Sequence, residues 1–393
     1  MAQLIEGEGV LNMSGDLRYR TRLLLVENSL HMTGAFKSAM ATAAVLRADF
    51  DVEFVLPANS ALQAQVEAQG IRCHLLPMSE LGRSWSRLLR YVPLLLLNTV
   101  RLRKLLSRRK IQILIVNDYY NLLGATVKAT GWPGQMLTFV RLLPWNQQRL
   151  LNRLWTALAI RCSGSVVAVS RAVASQFPAS QKVRVIYNPH QLRERHSETL
   201  TRKNDNTVLC LYLANYIHGK GHADALQAFA RAYAQNTRLR LRFIGGDMGL
   251  QKNRDLKRSL ELNATQMGLD QVVTFDGYCD DVELAIKQSD IVLNFSHSES
   301  FSLTCLEGSA YGRPVIATRC GGPEEIVEPG VTGLLVGVGE IAEMTQAILT
   351  LAGDPDARAR MGQQGRSLVR QRFSPEQFLL QFRHAINYPG SSC

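Results

Sequence analysis

Residues 290–330 read DIVLNFSHSESFSLTCLEGSAYGRPVIATRCGGPEEIVEPG. The apolar run Ile291 to Phe295 has the length of a buried strand and ends in a polar turn, Ser296 to Ser300. A helix is expected from about Ser302 to Tyr311, capped by Ser300 or Ser302, with Gly312, Arg313 and Pro314 stopping it. A second apolar run, Val315 to Ala317, leads into a Gly-Gly-Pro turn and a short acidic helix start. Strand, turn, helix repeated twice predicts neighbouring parallel strands, with ligand-facing loops at their carboxyl ends.

Two carboxylates stand out in this stretch. Glu299 falls in the turn and Glu307 on the helix, eight positions later. The helix start between them presents backbone N–H groups that attract phosphate. One loop thus offers a phosphate cradle and two carboxylates that accept from hydroxyls. That set suits a sugar nucleotide, a diphosphate flanked by two polyols. A buried strand–helix unit with solvated glutamates has the same local sequence.

The same alternation extends in both directions. Toward the N-terminus, strands are expected at Arg22 to Glu27, Val52 to Leu56, Cys73 to Leu76, Ile111 to Val116, Gln135 to Val140, Ser165 to Val169 and Val183 to Ile186. Helices are expected between them, including Ala35 to Leu46, Ser60 to Gln69 and Gln147 to Arg161. Gly34, at the first strand-to-helix turn, either admits a ligand to the backbone or serves a tight turn. The polar segment 191–206 reads as a linker, placing a boundary near residue 200. Beyond it, strands at Val208 to Leu213, Leu239 to Ile244, Val272 to Phe275 and Gly333 to Val336 complete a second sheet around the opening stretch. Helices at Ile341 to Leu351, Pro355 to Arg370 and Pro375 to Asn387 close the chain. The expected fold class is α/β, with two Rossmann-like, doubly wound parallel-sheet domains, 1–200 and 201–373, followed by a terminal helical segment, 374–393.

A chain of 393 residues with 46% hydrophobic and 20% charged residues is of ordinary globular composition. Seven scattered cysteines without a CxxC pair fit reduced thiols better than a disulfide framework or a zinc site. The first twenty residues lack the layout of a signal peptide, so a cytoplasmic location is expected. The net charge of +12 is one-sided: residues 1–200 hold 25 Lys+Arg against 12 Asp+Glu, and the rest 20 against 21. Much of the excess lies in residues 82–110, which carry nine Lys/Arg and no acidic residue. Trp85, Leu88, Leu89 and Val92 follow helical spacing there, and Pro93 should break or kink the helix. The apolar run 92–97 is too short to span a bilayer. Basic residues interleaved with Trp and Leu suit an interfacial helix on an anionic membrane, peripheral at the inner face. A solvated basic face is the alternative; no nucleic-acid-binding motif accompanies the run.

Taken together, these motifs resemble the retaining glycosyltransferases with two Rossmann-like domains (GT-B), family 4 above all. The resemblance rests on Glu299-x7-Glu307, then Gly312-Arg313-Pro314-Val315-Ile316-Ala317, Gly321-Gly322-Pro323-Glu324 and Gly333-Leu334-Leu335-Val336. Lys220-Gly221, Ile244-Gly245-Gly246-Asp247, Val273 to Gly277, Val167 to Ser170 and Ile186 to Pro189 support it. It is strong over residues 165–370 and only architectural before them. It implies an active site in the cleft between the domains, and a last helix that crosses back to the first. It further implies transfer of a sugar from a UDP- or GDP-sugar to a hydroxyl acceptor, lipid-linked or a polysaccharide precursor, without metal or cofactor. Glu307 would then accept from the donor ribose and Glu299 from the transferred sugar. Lys220 and the N–H groups of Ser300, Phe301, Ser302 and Leu303 would hold the diphosphate.

Two positions depart from the family pattern. Asn215 stands where an Arg often supports the diphosphate, leaving His218 or another group to compensate. Asn117 stands where a His often lies near the reacting sugar. The expected catalytic set is Glu299, Lys220 and Asn117. The expected donor-binding set is Glu307, Asn215, Ser300, Phe301, Ser302, Leu303, Gly246 and Gly34. Glu324 and Glu325 are expected to line the donor site or cap a helix, Asp118 to position an acceptor hydroxyl or cap the next helix, and Arg141 to reach the site. Because of the two departures, a noncatalytic sugar-nucleotide-binding or membrane-associated scaffold protein is the alternative function.

Overall fold

The computed structural model describes residues 10–11, 17–18, 20–78, 85–143, 149–191, 206–279 and 281–386, and side chains of 85–90 and 149 are not included. Most of the first twenty residues and most of the expected linker lie outside these residues. So do the side chains of Trp85, Leu88 and Leu89. Two compact units emerge. Unit 1 comprises 1–168, 177–186 and 379–393; unit 2 comprises 169–176 and 187–378.

Unit 1 opens with a two-residue antiparallel pair, β1 (Val10–Leu11) and β2 (Leu17–Arg18). Its main sheet uses β3 (Thr21–Val26), β4 (Phe50–Pro57), β5 (Arg72–Leu76), β6 (Ile113–Asn117), β7 (Gln135–Val140), β8 (Ser165–Ala168) and β9 (Val183–Val185). All pair in parallel, in the order β5-β4-β3-β6-β7-β8-β9. The central strands are apolar without alternation because both faces are covered, as in Leu23 to Val26, all fully buried. The helices are α1 (Gly34–Leu46), α2 (Gln63–Ala68), α3 (Trp85–Arg108), α4 (Leu123–Ala129) and α5 (Arg149–Cys162). Right-handed crossovers place α1 and α2 on one face and α3, α4 and α5 on the other. On that second face α4 lies between its neighbours. Thr99 Oγ1 of α3 is 2.7 Å from Thr126 Oγ1 of α4, and Tyr119 and Tyr120, just before α4, pack edge-on against Trp155 of α5.

The expected break at Pro93 is not found: α3 runs unbroken for 24 residues with Pro93 inside it. A proline removes one hydrogen bond of the ladder. Here Leu95, Thr99, Leu102 and Leu106 hold the helix along a face that packs on the sheet and on α4.

Unit 2 contains α6 (Arg171–Ala174), a short insert between β8 and β9. Its sheet uses β10 (Val208–Leu213), β11 (Leu239–Ile244), β12 (Val273–Asp276), β13 (Ile291–Asn294), β14 (Val315–Thr318) and β15 (Gly333–Val336). The order is β12-β11-β10-β13-β14-β15, all parallel. Helices α7 (His222–Tyr233), α8 (Gln251–Gln266), α9 (Val282–Gln288), α10 (Leu303–Ala310), α11 (Ile341–Gly353), α12 (Pro355–Arg372) and α13 (Pro375–Ile386) complete the chain. Its core is rich in aromatics, with Phe243 stacked on Phe275 at 4.9 Å and Phe229 fully buried. Each such side chain contributes about 1.5–3 kcal/mol. The order reverses between β10 and β13, and in parallel sheets ligands bind outside the carboxyl ends at such a point.

From Leu379 onward α13 belongs to unit 1. There Phe382 is fully buried against Phe50 and Phe139. Ser165 Oγ donates to the Ala385 carbonyl and Gln135 Nε2 to that of Ile386.

Candidate active site

The carboxyl ends of β10, β13 and β14 carry most of the residues singled out from the sequence. Asn294 ends β13, and its amide donates to Ser302 Oγ at 2.9 Å. Ser302 is the N-cap of α10: it adopts φ 75°, rare for a non-glycine residue, and its Oγ accepts from the Cys305 N–H. Of the two serines considered, Ser302 therefore makes the cap. An α-helix leaves its first N–H groups without carbonyl partners in the helix, so Leu303 and Thr304 present donors at this end. Thr304 Oγ1 donates to the Leu213 carbonyl and pins α10 to the end of β10.

Lys220 reaches the same place from the loop after β10. Its Nζ is 2.8 Å from Glu299 Oε1, which also accepts from Ser296 Oγ at 2.8 Å. The pair is partly open, the lysine side chain 31% and the glutamate 14% exposed. Tyr212, buried within β10, couples the two loops: its hydroxyl donates to the Lys220 carbonyl and accepts from the Phe295 N–H. Burial raises that phenol well above its ordinary range, so it stays a neutral donor. Gly221 has φ 71°, and a Cβ there would lie 1.8 Å from the Phe295 carbonyl oxygen, so only glycine fits. His222 follows, with its Nε2 3.3 Å from the Ala214 carbonyl. Burial lowers it to about 4, with Lys220 adding to the effect, so it is neutral at pH 7.

The loop bearing Glu299 is clamped from β14. Glu299 bridges Gly321, its N–H donates to the Cys320 carbonyl, and its carbonyl accepts from the Gly322 N–H at 2.8 Å. Phe301 is buried; its ring packs on Tyr187 and Phe373, so only its backbone is left for a ligand. Glu307 lies on α10, half-buried, as does Ser300 in the loop before it. Asn215 binds the ends of β10 and β11 together, its Oδ1 accepting from the Gly246 N–H at 3.0 Å.

Glu325 is a cap. Its carboxylate accepts from the N–H groups of Arg171 and Ala172 and from the Tyr187 hydroxyl, so it holds the start of α6. Glu324 accepts from the Gly321 N–H and closes its own turn.

The remaining two candidates lie in unit 1. Gly34 opens α1 behind the N-cap Thr33, and a Cβ there would meet nothing within 4 Å. Asn117 ends β6, 1% exposed. Its amide nitrogen donates to Glu27, just after β3, and its oxygen accepts from Arg141 Nε at 2.6 Å. Arg141, just after β7, also donates from its backbone N–H to Asp118 and from Nη2 to Thr42. Burial raises Glu27, and raises Asp118 to about 7 with help from the charge of Glu27. Burial lowers Arg141 to about 10, against the pull of both carboxylates. The carboxyl edge of this sheet thus carries a buried polar network in which Asn117 joins a carboxylate to a guanidinium.

Among the described residues there is no group of three or more His, Cys, Asp or Glu that could hold a metal, and no helix is long and apolar enough to cross a membrane. The sequence reading missed Tyr212, Asn294, Ser296 and Glu27. A polar residue within or at the end of an apolar strand was the available signal for the first two.

Residues 194–368 match the family model described as glycosyl transferases group 1. Over that stretch the chain is similar to the group 1 glycosyl transferases. The family read from the motifs is the one the comparisons find. N-acetyl-alpha-D-glucosaminyl L-malate synthase of Bacillus anthracis is 26% identical over 233 residues, 57% of this chain and 59% of its own length. D-inositol 3-phosphate glycosyltransferase of Arthrobacter sp. (strain FB24) is 36% identical over 137 residues, 34% of this chain and 31% of its own length. The matches thus span a third to three-fifths of these relatives. Among solved structures, Anabaena Alr3699/HepE in complex with UDP and glucose superposes with a TM-score of 0.79 at 21% identity, covering 93% of this chain and 99% of that one. At that identity the likeness concerns the fold, the two-Rossmann-unit GT-B architecture.

Proposed function

We propose that the protein is a glycosyltransferase that moves a sugar from a nucleotide-activated donor to a hydroxyl acceptor with retained anomeric configuration. One observation carries this reading: Glu299, in the loop that leads into the Ser302-capped start of α10, pairs with Lys220 from the loop after β10, and Glu307 lies further along the same helix. The bond that breaks joins the anomeric carbon to a diphosphate oxygen, and negative charge grows on the leaving group. The Lys220 ammonium and the N–H groups of Phe301, Ser302 and Leu303 would meet that charge. Glu299 would accept from hydroxyls of the transferred sugar and Glu307 from the ribose. The acceptor oxygen bonds the anomeric carbon as its proton leaves with the departing phosphate. Positive charge comes from the chain itself, so the proposal calls for no metal. Asn117, in the buried network of unit 1, would act through Arg141 and Glu27 as a positioning residue. Anabaena Alr3699/HepE has been solved in complex with UDP and glucose and with UDP-glucose, which makes a UDP-sugar the first donor to try.

A thermal-shift panel of UDP-, GDP- and ADP-sugars tests the reading. A donor at a hundredfold excess over its Kd stabilises the native state by about 2.7 kcal/mol. The expected result is a rise with one nucleotide class, lost in Glu307→Ala. No shift with any donor, and no transfer, would defeat the proposal. The noncatalytic alternative is favoured by Asn215, whose amide oxygen is spent on Gly246 where an Arg would add charge. Slow donor hydrolysis by the purified protein would dismiss it.

A further inference from the structure

We propose that the exposed stripe along the middle of α3 and the N-terminal half of α5 together form one docking surface for an anionic lipid bilayer. On α3, Val92, Leu96 and Val100 stand four residues apart and so form one stripe; they are 50%, 60% and 53% exposed. The adjoining face, about a quarter-turn round the helix, with Leu95, Thr99, Leu102 and Leu106, is the one used for packing. On α5, Leu150 is 81% exposed and Leu154, one turn on, 52%. Large aliphatic side chains so placed on two helices of one sheet face form an apolar surface that is exposed among the described residues.

Direction and charge decide the occupant. Each of these helices is a crossover and runs opposite to its strands, so both N-terminal halves lie toward the carboxyl edge of the sheet. That edge also carries Asn117 and Arg141. With α4 between them, the two stripes stand about two helix spacings apart, roughly 16–20 Å. Neither segment 82–110 nor α5 contains an Asp or Glu, while Arg101, Lys104 and Arg153 are exposed beside the leucines. Exposed leucine flanked only by cations matches a surface that is apolar beneath and anionic on top, the layering of a phosphatidylglycerol-containing leaflet. The α5 half extends the basic segment seen in the sequence to a second helix, which would fix the orientation of unit 1 on the surface.

The test is flotation of the full chain with vesicles of equal parts phosphatidylglycerol and phosphatidylcholine, against phosphatidylcholine alone, at low salt. Binding to the anionic vesicles only is expected. Arg101→Gln, Lys104→Gln and Arg153→Gln should each weaken it about fivefold. Leu96→Asp and Leu150→Asp should each abolish it, with thermal unfolding unchanged. Absence of flotation overturns the proposal. Full flotation of Leu150→Asp overturns the two-helix surface. An oligomer that Leu150→Asp converts to monomer, without flotation of either form, assigns the face to a second copy of the chain instead. Donor binding plays no part in these measurements, so their failure is distinct from failure of the transferase reading.

Discussion

Gly322→Ala is the substitution whose effect the geometry fixes most closely. A Cβ on residue 322 would lie 2.3, 2.4 and 2.5 Å from the Cα, N and C of Phe301. All three are backbone atoms, so no rotamer change relieves the clash and the loop before α10 must move by about 1 Å to restore contact distance. Phe301 resists, because its ring is buried against Tyr187 and Phe373. Overpacking of this kind costs about 1–3 kcal/mol. Loss of the bond from the Gly322 N–H to the Glu299 carbonyl adds about 1 kcal/mol. A total of about 2–4 kcal/mol corresponds to a fall of roughly 5–15 °C in the melting of a unit of this size. The displaced atoms include the N–H groups assigned to the diphosphate, and a 1 Å misplacement costs about a hundredfold in rate. Calorimetry and kcat/KM for donor turnover measure the two effects. Gly34→Ala is the control: its Cβ meets nothing within 4 Å, so stability should move by no more than about 0.5 kcal/mol. A Gly322→Ala protein that melts and turns over like the parent would refute the reasoning.

Lys220→Met should separate stability from chemistry: a partly exposed ion pair contributes at most about 1 kcal/mol, whereas losing positive charge at the leaving group should cut kcat by about 100-fold or more; unfolding and steady-state kinetics on one preparation decide it. Arg141→Leu leaves Glu27 and Asp118 buried without their cation and should cost about 3–5 kcal/mol in urea unfolding. The defect should shrink below pH 7, where Asp118 takes up a proton. In the parent protein Asp118 binds its proton more tightly folded, at about 7, than at its ordinary 3.8, so its contribution to stability falls as pH rises between those values. Glu53 runs the other way. Burial alone would raise it, but His74 at 2.6 Å and Arg109 outweigh that and bring it from 4.5 to about 2. Its contribution, about 3 kcal/mol at most, is present above pH 4.5 and lost as pH falls toward 2. Glu53→Gln should flatten the acid limb of an unfolding-versus-pH curve, and an unaltered limb would count against it.

The parallel sheets were legible because strands buried on both faces are written as continuous apolar runs, and Leu23 to Val26 or Ile291 to Leu293 cannot be mistaken for surface. The Glu299–Glu307 loop was legible because turn, cap and helix are local. What stayed hidden depends on contacts distant in sequence. Asn117 meets Glu27 across 90 residues and Arg141 across 24, and nothing near Asn117 announces either. Glu325 was expected to line the donor site or cap a helix, and its partners Arg171 and Ala172, 154 and 153 residues upstream, make it the cap of a helix the local sequence does not indicate. Pro93 misled because local propensity predicts a break, while packing of Leu95, Thr99 and Leu102 carries the helix through.

The placement of α13 bears on how the chain is made. Phe382 fills the space beside Phe50 and Phe139, yet it leaves the ribosome more than 240 residues after Phe139. At about 5–20 residues per second, that aromatic surface waits for roughly 10–50 s of synthesis. For that interval a nascent N-terminal sheet leaves uncovered the side of Phe50 and Phe139 that Phe382 fills, a natural place for a chaperone to bind. A fragment ending before Leu379 would keep that exposure permanently. A late-made helix thus decides whether an early-made sheet is covered, and a chain cut before Leu379 would expose apolar surface for quality control to bind.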